Sequence, residues 1–296
     1  MSKNSLSSFK LASAVLAILL LPVLTSLSAA QTKQVFRVGW VTGGDPVLTA
    51  RLEPFIAYLQ DRLDVPVELF AVQNGAALID AIVSDQIEYA ALTGSGFAVG
   101  QSLCDCLVPL ASPSTTDGLT HLRSVLLAKA GTIMLEEPEF LAGPPSDFLT
   151  HHVPAFAQNA GEISARLVET TSLEMVLNLV ADGDERPAFA WTFALPDGSS
   201  ATADALSGFA AVLTGQNPSL EVAWQSDAFR MGAHSVHQSV PDVQRQKLVA
   251  ALLDIKTASP VAFDVISPSL DGGFVAAGPD DYANYLPVLA VLTDDG

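Results

Sequence analysis

The chain has 296 residues and carries 14 Lys and Arg against 32 Asp and Glu, a formal net charge of −18 at pH 7. A surface this acidic repels phosphate backbones and anionic lipid, which excludes nucleic-acid binding. The length is ample for one large domain or for two lobes of ordinary size.

Residues 1–30 read as a targeting segment. Lys3 and Lys10 form a positive start, residues 11–27 an apolar run broken by Pro22, and Ser28-Ala29-Ala30 a small-residue cleavage site. Cleavage is expected before Gln31, with no cysteine nearby for a lipid anchor, so an exported protein that is not a lipoprotein is expected. Loss of Lys3 and Lys10 leaves 12 basic residues against 32 acidic ones, about −20 for the mature chain.

From there strand-like and helix-like segments alternate. Residues 35–41 predict a buried strand ending at Thr42-Gly43-Gly44. Leu48, Leu52, Phe55, Ile56, Leu59 and Leu63 follow at helical spacing, with Asp45 as N-cap and Pro46 at the first helical position. Pro54 inside that run should kink or restart the helix. Strands are predicted at 66–72 and 88–93, and helices at 76–84 and 95–103. Such βα repeats predict a parallel sheet covered on both faces, with ligands bound beyond the carboxyl ends of its strands. A strand at 122–129 leads into a second α/β set, with strands at 166–170 and 187–192, a helix at 172–181, and loops at 197–200 and 215–218. Residues 229–236 predict a strand returning to the first set, followed by a helix at 243–255, a Gly-rich stretch and a final helix.

Cys104 and Cys106 are compatible with a short-range disulfide or with thiols, and two thiolates alone make a poor metal site. His151-His152 and His234-x-x-His237 match no common ligand spacing and read as ordinary surface or half-buried histidines. No nucleophile elbow, zinc-protease helix or phosphate loop is present, so no enzyme, cofactor or metal is expected.

Four stretches carry a resemblance: RVGWVTGGDPVLTARLEPFIAYLQDRL (37–63), VPVELFAVQNGAALIDAIVSDQIEYAALTGSGFAVG (65–100), LRSVLLAK (122–129) and LDGGFVAAGPDDYANYLPVL (270–289). Their order and spacing resemble the periplasmic binding components of phosphate/phosphite/phosphonate-type ABC importers. The resemblance implies a type II periplasmic-binding fold, with two α/β lobes joined by two hinge strands and the ligand cleft between them. Residues 31–126 and 230–296 would form lobe 1, and 127–229 lobe 2. The implied function is capture of a small oxyanion or phosphonate-like ligand by lobe closure, by a monomer that serves membrane importer subunits. The alternatives are a sensing protein that presents its ligand to a sensor kinase, and a redox or metal-handling protein using Cys104 and Cys106.

Candidate ligand-binding residues lie at strand ends and helix starts. Thr42, Gly43 and Gly44 either present backbone N–H groups or form a tight βα turn. Thr93, Gly94, Ser95 and Gly96 offer hydroxyls, an uncovered helix start and close backbone approach. Phosphonate binders of the family carry a Ser-Thr-Ser-Gly type stretch at a second-lobe helix start, which corresponds here to residues 143–150. That stretch supplies Ser146 and Thr150, while Asp147 adds a negative charge suited to an amine. Ser146 or Asp147 should also cap the helix that follows. Trp191 and Thr192 end a second-lobe strand, where Trp191 either stacks on ligand or packs the lobe. Arg230 would meet an anion or pair with an acid.

Overall fold

The computed structural model describes residues 35–129, 138–199 and 206–294, with side chains to Ala290. The targeting segment 1–30 lies outside the described residues, and the expected 197–200 loop is described only as far as Ser199.

The first βα units form as the alternating periodicities predict. Strand β1 (Phe36–Val41) leads to α1 (Pro46–Arg51) and α2 (Glu53–Leu63). Asp45 caps α1 by accepting from Val47 N at 2.7 Å, and Pro54 sits in the first turn of α2, so the helix restarts. Then come β2 (Val67–Val72), α3 (Gly75–Val83), β3 (Tyr89–Leu92) and α4 (Gly94–Cys104). Cys104 and Cys106 are joined in a disulfide at the end of α4.

Strand β4 (Leu107–Ser114) carries Pro109 and Pro113, residues that argue against a strand inside a sheet. It forms nonetheless between β11 (Ala233–His237) and β12 (Gly273–Ala276), with a register shift at His234/Ser235 beside Pro109. The order of this first sheet is β12-β4-β11-β3-β1-β2. It is mixed rather than parallel, because β11 runs antiparallel to both β3 and β4, and β12 antiparallel to β4.

The second sheet contains β5 (His121–Lys129), β6 (Glu139–Ala142), β7 (Arg166–Glu169), β8 (Ala188–Ala194), β9 (Leu220–Gln225) and β10 (Phe229–Arg230). Its order is β10-β5-β8-β6-β7, and β9 shares the β5 edge with β10. Helices α5 (Val153–Asn159), α6 (Leu173–Ala181) and α7 (Gly208–Gln216) belong to this half. The expected single strand over 229–236 is two strands in different sheets, because the chain leaves the second sheet at Arg230 and enters the first at Ala233. The opposite crossing runs between β4 and β5, and the described residues hold together as one unit. Helices α8 (Asp242–Ala258), α9 (Pro260–Ile266) and α10 (Tyr285–Asp294) complete the chain.

Period-two alternation explains why both sheets are covered on both faces. In β3, Tyr89 packs with Phe55, Leu252 and Phe263, while Ala90 and Leu92 pack with Leu78, Phe97 and Tyr285. In β5, Val125 and Leu127 face one core and Leu126 the other. The cluster containing Phe97 and Tyr285 also takes in Leu149, Val153 and Phe229, so apolar packing continues from one half into the other beside the crossings.

Candidate ligand-binding cleft

A cavity of about 570 Å³ opens between the two sheets. Its first wall is the carboxyl end of β3 and the start of α4: Ala91, Leu92, Thr93, Gly94 and Ser95. Thr93 is the N-cap, with its Oγ accepting from Gly96 N at 2.9 Å and lying 3.3 Å from Ser95 Oγ. The N–H groups of Gly94 and Ser95 have no acceptor within the helix and stand at the cavity wall. Gly94 is needed for close approach, since a Cβ there would strike the Tyr285 hydroxyl and lie 2.8 Å from the Arg230 carbonyl.

The second wall comes from the other sheet. After β6 the chain turns through Ser146 and Asp147 into a π-helical turn, Phe148–His152, that runs on into α5. Asp147 caps it: Oδ1 accepts from Thr150 N and Thr150 Oγ1, both at 2.8 Å. Asp147 therefore both caps the helix and lines the cavity, and no protein donor meets its second carboxylate oxygen among the described residues. Trp191 lines the cavity from β8, and the adjacent Gly208, at φ 59°, leaves room for its ring. Thr192 points to the opposite face of β8, buried and 3.0 Å from Ser207 Oγ.

Of the sequence-predicted residues, Thr93, Gly94, Ser95, Ser146, Asp147 and Trp191 line this one cavity. Gly96 lies one position deeper in α4, its amide taken by Thr93. Thr42, Gly43 and Gly44 form a turn at the neighbouring strand end, where the amides of Thr42 and Gly43 both donate to the Val72 carbonyl, at 3.0 and 3.2 Å. Gly44 borders a separate surface groove along α1 and α2. Arg230 is buried at the crossing, donating to the Ala276 carbonyl at 3.0 Å, with Asp281 4.0 Å away. Beyond Ala91, Leu92, Phe148 and Leu149, which adjoin the predicted residues in sequence, the lining residues that sequence reasoning missed are Pro113, Leu122, Met231, Gly232, His234 and Tyr285. Only His234 carried a visible chemical signal. Neither Lys nor Arg lines the cavity among the described residues, so its donors are amides, hydroxyls, the Trp191 indole and an imidazole.

The other histidines make local contacts. His151 Nε2 lies 2.9 Å from Glu169 Oε1, and His237 Nδ1 2.8 Å from Ser239 Oγ. Among the described residues no three His, Cys, Asp or Glu side chains cluster as metal ligands, and no helix is long and apolar enough to cross a membrane.

A family profile described as ABC transporter, phosphonate, periplasmic substrate-binding protein matches residues 38–282, which is most of the chain. The chain belongs to that family. It is thus the periplasmic substrate-binding component of a phosphonate-type ABC transporter, and it works with membrane subunits of such a transporter. No curated protein matches it in sequence. Among solved structures, XAC2383 from Xanthomonas citri bound to chloride ion aligns at TM-score 0.61 and 13% identity, covering 88% of this chain and 98% of that one. A binding protein component of an ABC phosphonate transporter from Pseudomonas aeruginosa, PA3383, aligns at TM-score 0.53 and 17% identity, covering 88% and 86%. PhnD1 from Prochlorococcus marinus (MIT 9301), in complex with methylphosphonate, aligns at TM-score 0.57 and 14% identity, covering 88% and 99%. At these identities the likeness is one of fold. This phosphonate-family binding protein thus has the two-sheet α/β architecture that the resemblance implied.

Proposed function

We propose that the protein captures a small phosphonate-like oxyanion in the cleft between its sheets and that its lobes close over the ligand. The observation that carries this is the cavity wall itself: the uncapped amides of Gly94 and Ser95, with the hydroxyls of Thr93, Ser95 and Ser146, form an anion-accepting surface at a helix start. The methylphosphonate held by the Prochlorococcus protein supports the same ligand class. In this reading residues 31–126 with 230–296 form one lobe and 127–229 the other, with each boundary moved to the nearer crossing, between β4 and β5 and at Met231–Gly232, because β5 and β10 pair in the second sheet. Ligand touches both walls only when the lobes are closed, so binding shifts the population toward closure. Thr42, Gly43, Gly44 and Gly96 shape the rim and support of the first wall, and Thr192 anchors the strand that presents Trp191. The chain acts as a monomer in the periplasm after cleavage before Gln31, with no lipid anchor.

Asp147 decides the finer ligand class. A bare dianion beside this carboxylate, in a cleft lined by no Lys or Arg among the described residues, meets like charge in a low-dielectric site. A ligand that turns an amine or another donor toward Asp147 removes that penalty. Asp147→Asn keeps an oxygen able to cap the turn. It is expected to tighten methylphosphonate about tenfold, ~1.4 kcal/mol, and to weaken an aminoalkylphosphonate by a similar factor. Equal shifts for both ligands in titration calorimetry would place Asp147 outside ligand contact.

The test of the function as a whole is a thermal-shift panel on the chain from Gln31 onward. It comprises phosphate, phosphite, alkyl- and aminoalkylphosphonates, sulfur and selenium oxyanions, carboxylates and metal ions. A ligand at a hundred times its dissociation constant adds about 2.7 kcal/mol, a rise of roughly 5–10 °C at this size. The rise is expected with a phosphonate and should vanish in Thr93→Ala/Ser95→Ala. A response to metals that appears only after the Cys104–Cys106 disulfide is reduced would instead favour the alternative built on that pair, and a flat panel would reject oxyanion capture.

A further inference from the structure

We infer that His234 contacts the ligand and sets specificity in the cleft, offering its Nε2–H as an uncharged donor to a ligand oxygen, with the Tyr89 hydroxyl as the positioning group. The inference rests on the oxyanion reading above and adds a residue that neither the helix starts nor the family stretches point to. In the ladder between β3 and β11, His234 lies opposite Ala91 and Val236 opposite Tyr89. The side chains of Tyr89 and His234 are therefore diagonal neighbours on one face of the sheet. The Tyr89 hydroxyl meets His234 Nδ1 there, in a site where both residues are buried.

The proton on that contact can be assigned by satisfaction. A proton on Nδ1 donated to the phenol oxygen would leave the buried phenolic proton without an acceptor, since the Tyr89 hydroxyl has no other hydrogen-bond partner among the described residues. The satisfied arrangement has Tyr89 donating to Nδ1, which places the imidazole proton on Nε2. Phe274 packs edge-on against the ring at 4.5 Å between centroids and holds its tilt. His234 is 5% exposed and yet lines the cavity together with Ala91, Pro113 and Gly232. Its Nε2 has no protein acceptor among the described residues. Burial pushes the imidazole down to about 3, so the ring is neutral at physiological pH and contributes a hydrogen bond without a charge. In a cleft lined by no Lys or Arg among the described residues, such a donor selects ligands with an acceptor oxygen at that position and penalises those presenting an apolar group.

The test uses the mature chain and methylphosphonate. Tyr89→Phe/His234→Phe removes both polar partners together, so no buried hydroxyl is stranded, and it keeps the aromatic volume against Phe274. Methylphosphonate affinity is expected to fall about tenfold, while the circular-dichroism spectrum and a cooperative melt are retained. Tyr89→Phe alone should give a smaller loss. Nitrogen-15 spectra of the ring should show the Nε2–H tautomer in the wild type and a move toward Nδ1–H in Tyr89→Phe, a change that a purely structural role would not produce. Unchanged affinity in the folded double variant, or an Nδ1–H tautomer in the wild type, overturns the inference alone. Failure of the wild type to bind any oxyanion overturns the underlying cleft reading and this inference with it.

Discussion

Acidification from pH 7 to pH 5 should cost the protein several kcal/mol of stability before most carboxylates begin to titrate. His121 is buried at the start of β5, beside the buried Arg230; burial first and the guanidinium second push its pKa down to about 4, against a smaller upward pull from Asp281. His234 is pushed down to about 3 by burial alone. Burial also lowers His152. In the unfolded chain all three titrate near 6.5. Between that value and the folded values the unfolded state binds more protons than the native state, so stability rises with pH there and falls on acidification. The stability is fully present above about pH 6.5 and is lost as pH drops through the window, at about 1.4 kcal/mol per pH unit for each of His121 and His234. Urea midpoints recorded from pH 7.5 to 5 should fall steadily. His121→Gln should flatten the slope by one proton's worth. A flat midpoint over that range would mean that His121 and His234 are not held neutral by burial.

Gly94→Val is expected to be the most damaging single substitution at the site. A Cβ at this position strikes the Tyr285 hydroxyl and ring, and it lies 2.8 Å from the Arg230 carbonyl that the same hydroxyl bonds at 2.5 Å. Tyr285 cannot swing away cheaply. Its ring is buried between Phe148 at 4.7 Å and Phe229 at 5.1 Å, with Tyr282 beyond. Overpacking of this kind costs about 1–3 kcal/mol, with the loss of the Tyr285 hydrogen bond in addition. The displaced start of α4 should also lower oxyanion affinity by more than about tenfold. Gly75→Ala is the control: it occupies the equivalent first position of α3, where nothing lies within 4 Å of an added Cβ. That substitution should leave both stability and affinity near the wild type. If Gly94→Val matched it in urea unfolding and in calorimetry, the close packing of α4 on α10 and the crossing strand would be wrong.

How far the molecule can be read from its residues differs between its parts. The units from β1 to α4 were legible because strand and helix periodicities alternate cleanly there. Capping residues and glycines mark each boundary, as at Asp45, Asn74 and Thr93. The wall made by Thr93, Gly94 and Ser95 follows from that legibility, since a strand end and a helix start place their groups by local geometry. Asp147 was legible as a cap for the same reason.

The parts that escaped depend on neighbours distant in sequence. Strand β4 was hidden by Pro109 and Pro113; β11 shifts register beside Pro109, and Pro113 lies opposite Phe274 of β12. Strand β9 is largely exposed and has no periodic signature, and the small residues of α7 (Gly208–Gln216) gave no clear helical stripe. The 229–236 run reads as one strand, since nothing local tells Phe229 and Arg230 that their partners sit in a different sheet from those of Ala233.

Residue order alone determined the export signal expectation, the α/β alternation, the family and the helix start whose free amides stand at the cavity wall, because each is written in local spacing or in an ordered set of stretches. Only the tertiary structure decided the mixed strand order, the crossing at Met231–Gly232, the turning of Thr192 away from the cleft and the placement of His234 within it. Those depend on which strands pair and which face each residue takes, and pairing is settled by burial summed over both sheets, with no single segment carrying the information.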